Sequence, residues 1–195
     1  MAKLTQDKLM TLEAYAKARD TIRADVMAHK KNRNVALGEH VTLIFEDEQT
    51  IRYQVQEMLR AEKVFEEAGI QDEIDTYNPL IPDGSNWKAT MMIEYEDVGE
   101  RRRMLAQLLG IEDRVWVDVA GFERVYAIAD EDLERATEQK TSAVHFLRFE
   151  LTPGMPRALK QGALLGMGVD HPAYQAAIDS VPPAVYTSLL RDLQG

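Results

Sequence analysis

The sequence predicts an α+β fold: an antiparallel-dominated sheet of five or six strands packed with helices, with helical N- and C-terminal segments. Three observations carry this. Strand-period alternation is strongest from Trp87 to Glu96 and recurs in Val35–Asp47 and Ser142–Leu151. Two further β runs, Arg114–Val119 and Glu123–Ala129, are joined by Ala120-Gly121-Phe122, the spacing of a hairpin. Helix-forming stretches are interspersed among these strands.

From Leu4 to Asn32 the residues favour two helices or one bent helix, with Ile22, Val26 and Met27 at helical spacing and Thr5 as the expected N-cap. In Val35–Asp47, Gly38 marks a turn or bulge between two short strands. Gln49–Ala68 reads as a helix ended by Gly69 in the left-handed conformation, and Gln71–Thr76 as a short acidic helix. Residues 77–85 form a loop fixed by Pro79, Pro82 and Asp83-Gly84; its apolar Leu80 and Ile81 must press onto the body or a partner. In Trp87–Glu96, Trp87, Ala89, Met91, Ile93 and Tyr95 take one side, with Lys88, Thr90, Met92, Glu94 and Glu96 on the other. Asp97 caps a helix to Leu109, closed by Gly110, and Asp130–Gln139 reads as another short helix. Pro153–Gln194 reads as helical pieces broken by Gly166, Gly168, Pro172, Pro182 and Pro183.

With 195 residues, one domain is expected: a helical arm (1–33), a mixed body (34–151) and a helical C-terminal segment (152–195). The absence of cysteine excludes disulfides, thiol nucleophiles, Cys-ligated clusters and Cys-containing zinc sites. A net charge of −10 argues against a nucleic-acid partner. That charge is uneven: residues 1–33 carry +4, residues 34–150 carry −14, and the rest is neutral. The basic arm either folds back on the acidic body or docks an acidic partner. No window has signal-peptide or membrane-span character, so a cytoplasmic protein is expected.

A polar residue at an apolar position is the informative kind. Glu62 falls within the stripe formed by Ile51, Val55, Met58, Leu59 and Phe65. It either reaches water at the helix end, pairs with a buried arginine, or serves as a metal ligand or general acid/base. His145 shares a side with Leu147, Phe149 and Leu151 and is either a bonded core residue or a ligand. If the Glu62 helix covers that face, the two begin a carboxylate–histidine metal site, with His40 as a third candidate ligand. The polar side of the strands carries Glu94, Trp116, Tyr126 and Arg148, which suit a pocket or docking surface alongside Leu80 and Ile81, or are simply covered by helices. Gly166-x-Gly168 lacks the third glycine and the preceding strand of a dinucleotide fingerprint.

Thr50–Glu62, Tyr77–Gly84 and Lys140–Glu150, with Asp130–Arg135 and Asp170–Tyr174, resemble an uncharacterised bacterial family, domain of unknown function family 3501, across nearly the whole chain. Genomic neighbours of such families resemble rubrerythrin and heterodisulfide-reductase-like iron–sulfur proteins. The resemblance therefore implies an accessory role in peroxide defence or electron transfer. Without cysteine, the chain would dock a cluster-bearing partner or hold a metal through Glu and His. The alternatives are an enzyme or metal-binding protein centred on Glu62 and His145, and a small-molecule binder on the second sheet face.

Overall fold

Thr11 starts the first helix by accepting a hydrogen bond from the Ala14 amide in a computed structural model that describes residues 3–131, 135–137 and 139–194. Helix α1 spans Leu12–Lys31. The cap therefore lies at Thr11 and not at Thr5, whose side chain makes no capping bond and precedes only a 3₁₀ turn at Gln6–Lys8. Strands β1 (Asn34–Leu37) and β2 (Val41–Glu46) follow, joined through Gly38 at φ +74°. Asp47 opens α2 (Glu48–Glu62) with a capping box: its carboxylate accepts from the Thr50 amide while the Thr50 hydroxyl accepts from the Asp47 amide. Helix α2 stops earlier than expected because Lys63 turns left-handed at φ 56°. Gly69 sits instead in the first turn of α3 (Glu67–Tyr77), where a Cβ would come within 2.7 Å of the Val64 side chain. Its role is close approach rather than helix termination.

The remaining elements are β3 (Asn86–Ile93), α4 (Val98–Gln107), β4 (Val115–Val119), β5 (Val125–Tyr126), β6 (Ile128–Ala129), β7 (Val144–Glu150), α5 (Met155–Lys160), β8 (Leu165–His171), β9 (Tyr174–Ile178) and α6 (Pro183–Leu190). Among the described residues the strands form two antiparallel sheets, ordered β1-β2-β3-β7-β6 and β5-β4-β8-β9. The α+β class and the helices of both terminal segments are present. Between α5 and α6, however, the glycines that read as helix breakers belong to the hairpin β8–β9. Gly168 lies directly across from Trp116, and a Cβ there would fall 2.3 Å from the indole ring. The glycine lets the ring lie flat on the strand. Of the expected helix Asp130–Gln139, residues 130–131, 135–137 and 139 are not helical, and 132–134 and 138 lie outside the described residues.

The two sheets share one stretch of chain. Tyr126 pairs with Trp116 in the second sheet, and two residues later Ile128 pairs with Arg148 in the first. On the far side, the Tyr174 hydroxyl donates to the Leu37 carbonyl (2.6 Å) and accepts from the His40 amide (3.1 Å), joining β9 to the β1–β2 turn. The inward-facing residues of both sheets, among them Phe45, Trp87, Phe149, Val117 and Met167, form one apolar core with Leu105, Leu159 and Leu189 from the helices. A smaller core of Leu4, Ile51, Val55, Leu59, Ile74 and Ile81 holds the N-terminus, α2 and α3 together.

The basic arm folds back on the body. Arg19 makes a two-pronged contact with Glu57 of α2, which also accepts from the Tyr15 hydroxyl. These partners hold the Glu57 carboxyl at about 2, with the Arg19 hydrogen bond the largest cause. At the end of the arm Arg33 is 1% exposed. Its guanidinium donates to the carbonyls of Phe45 and Glu46, to Ser188 on α6, and to the Asp192 carboxylate beyond it. Burial pushes Asp192 up to about 6, outweighing the attraction of Arg33.

Candidate functional site

Three cross-strand rows pave the outer face of the first sheet. Register places Glu46 opposite Lys88 and Lys88 opposite Arg148; the next row is Ile44, Thr90 and Phe146; the third is Thr42, Met92 and Val144. Helix α2 and the Tyr77–Leu80 segment lie over these rows and leave a cleft of two compartments, about 250 and 200 Å³. Tyr77, Leu80 and Phe146 line both, so an aromatic and aliphatic partition stands between them. The larger compartment has Glu46 and Thr90 on its sheet side, with Lys30 contributed by α1. The smaller is lined by Lys88, Arg135, Arg148 and Glu131.

The charges in the top row are distributed unequally. Arg148 holds Glu131 with two parallel bonds and Glu150 with a third. Glu46 is 7% exposed and turned toward the hydroxyls of Thr50 and Thr90, which donate to its two oxygens. Lys88, half-buried between these two register neighbours, receives neither: among the described residues no hydrogen bond or ion pair reaches its ammonium. Like charges directly opposite one another disfavour the folded state. Burial, then the charge of Arg148, pushes the Lys88 amine below its ordinary value, and Glu131, Asp83 and Glu150 oppose this only in part. Arg135 lies over the Phe146 ring at 4.5 Å and pairs with Asp130 at 3.2 Å. Among the described residues three cations thus face one carboxylate in the smaller compartment, on a chain whose net charge is −10.

The metal site expected from Glu62, His145 and His40 is not assembled. Glu62 is exposed in the last turn of α2, because that helix ends at Lys63 and its final turn leaves the apolar stripe. His145 is fully buried, and no contact joins it to Glu62. Its Nδ1 meets the Asp130 carboxylate at 2.5 Å, while its Nε2 lies 3.1 Å from the Ser142 carbonyl and 2.8 Å from the Thr141 hydroxyl. A carbonyl and a carboxylate only accept, so each ring nitrogen stands against an acceptor. Thr141, His145 and Asp130 follow the order of a hydrolase triad, but Thr141 is 1% exposed and donates to Glu112. The set is an internal brace. Asp130, at φ 48°, also accepts from the Phe146 amide and so anchors β7 behind the cleft. His40 stacks on Tyr95 at 3.9 Å and its Nδ1 donates to the Glu94 carbonyl. Among the described residues no three His, Asp or Glu side chains converge as a metal site.

The expected binding surface divides into two. Arg148 and Leu80 belong to the cleft, and Glu94, which accepts from Thr42, lies just beyond the end of β3. Ile81 is buried in the smaller core. Trp116 and Tyr126 are on the outer face of the second sheet, where Arg124 covers the indole at 3.9 Å and Tyr126 donates to Asp170. The sequence reading missed Lys88, Glu46 and Phe146 as a group. Each appears there as one polar or apolar position among many; strand register is what makes them neighbours.

A family model described as Protein of unknown function (DUF3501) matches residues 3–193. A crystallised protein of unknown function from Burkholderia pseudomallei is similar over 99% of this chain and 100% of its own, at 58% identity and a TM-score of 0.93. No curated protein matches the sequence. No helix among the described residues is long and apolar enough to cross a membrane. With nearly its whole length matched by the family model, the chain belongs to the DUF3501 family.

Proposed function

We propose that this protein binds small organic anions with an apolar body in the cleft over the first sheet. The observation that carries the reading is Lys88: a half-buried cation facing a second cation in register, with no hydrogen-bond or ion-pair partner among the described residues. A bound carboxylate or similar anion supplies the missing counter-charge, and Phe146, Tyr77 and Leu80 supply apolar walls for its body. Thermal-shift and calorimetric titration with benzoates and their neutral amides tests it. Anions are expected to raise the melting temperature where the amides do not, and Lys88→Met to abolish the effect. Equal responses to anions and amides, or no response to either, refute the reading.

The redox-accessory role, with rubrerythrin-like or iron–sulfur partners in the cytoplasm, is a second proposal. In that role any Cys-ligated cluster belongs to the partner, since this chain has no cysteine.

A further inference from the structure

A lysine becomes a nucleophile when its amine is held neutral without being tied up in hydrogen bonds. In the top row of the cleft burial and the charge of Arg148 push the Lys88 amine below its ordinary value, and no hydrogen bond among the described residues ties it up. Arg148 occupies Glu131 and Glu150, two of the three carboxylates whose charge favours the Lys88 ammonium, and the third, Asp83, accepts from the Ser85 amide and hydroxyl. Glu46, across the other ladder, is occupied by Thr50 and Thr90. Lys88 is left half-buried, facing a guanidinium, beside a compartment of about 200 Å³ whose walls include Phe146 and Leu80.

From this juxtaposition we infer that Lys88 is a carbonyl-reactive amine, and that the cleft takes organic anions bearing an aldehyde or ketone and holds them as an imine on Nζ. The inference rests on the anion-binding reading and adds a covalent step to it. The amine lone pair forms a C–N bond to the carbonyl carbon, and the carbonyl oxygen takes a proton to give a carbinolamine. Loss of that oxygen as water leaves C=N. No electrons are exchanged, and water is the only by-product. Each feature that disfavours the Lys88 ammonium enlarges the neutral fraction, by about tenfold per pH unit of displacement.

The test is reductive trapping of the full chain with 4-carboxybenzaldehyde and cyanoborohydride at pH 7, read by intact mass and peptide mapping. The matched alcohol, 4-(hydroxymethyl)benzoate, reports anion binding alone. Addition at Lys88 is expected to run at least about tenfold faster than at any other lysine. Lys88→Arg keeps the charge, so it is expected to bind the alcohol and lose the fast addition. Label spread evenly over the lysines, or an unchanged rate in Lys88→Arg, overturns the imine. If the alcohol binds and Lys88 is not labelled, the imine fails and anion binding stands. If Lys88 is labelled rapidly and the alcohol does not bind, anion binding fails and the reactive amine stands.

Discussion

Replacing Arg33 by methionine keeps a long apolar stem in the space between β2 and α6 while deleting the guanidinium that serves five residues there, Asp47 among them. Asp192, 2% exposed, then lacks its counter-charge, and the carbonyls of Phe45 and Glu46 lose a donor. Breaking one side of a buried ion pair costs about 3–5 kcal/mol. The cost depends on pH, because Asp192 is pushed up to about 6 from an ordinary 3.8. A carboxyl with a raised folded-state value contributes stability that is complete below pH 3.8 and is lost as pH rises through about 6. Over that interval of about two pH units the change is about 3 kcal/mol. Without Arg33 the carboxyl moves higher still, so at pH 5 it is protonated in the variant and the loss is that of the guanidinium's hydrogen bonds to uncharged acceptors, about 1.5–3 kcal/mol. At pH 8 the full penalty applies, a fall in the urea midpoint of about 1.5 M. Urea unfolding followed by tryptophan fluorescence measures both, since Trp87 donates to the Leu189 carbonyl and reports on α6. The double variant Arg33→Met/Asp192→Leu is expected to recover most of the loss. Equal losses at pH 5 and pH 8, with no recovery in the double variant, would refute this account.

Gly168→Ala drives a methyl group into the Trp116 ring and the Ala176 carbonyl, and is expected to lower stability by at least about 2 kcal/mol in the same urea assay; a loss below 0.5 kcal/mol would show that the hairpin yields. The redox-accessory proposal predicts that affinity purification under anaerobic conditions recovers a rubrerythrin-like or iron–sulfur protein at near-stoichiometric yield. Recovery of no redox protein, with clusters kept intact, would dismiss it.

What the sequence made legible follows from how local each signal is. The alternation of Trp87–Ile93 marks a half-buried strand by itself, and the inward residues it names are those of the core. Leu165–His171 conceals its strand because two of its residues are glycines, and the reason for one of them is an indole 52 residues earlier in the chain. Glu62 misled for a related reason: helical periodicity continues on paper past Lys63, while the backbone there turns left-handed. Arg148 and Leu80 were recognisable as surface candidates, but Lys88 gains its meaning only from what stands opposite it. Register is a tertiary property, so the electrostatic imbalance of the cleft has no signature within any one strand.

The contacts that fasten the two ends of the described chain are distant in sequence. Arg33 meets Asp192 across 159 positions, and Tyr174 meets Leu37 across 137. Loop-closure entropy must be overcome before such contacts return any stabilisation, so their formation belongs to the late, slow part of folding. A nascent chain that has not yet exposed Asp192 carries Arg33 and the β1 edge uncovered, along with the inner face of the first sheet. That interval is when an open strand edge is vulnerable to pairing with another molecule. Mutations in the last turn of the chain are therefore expected to act on yield and aggregation during synthesis, well away from the cleft and its ligand.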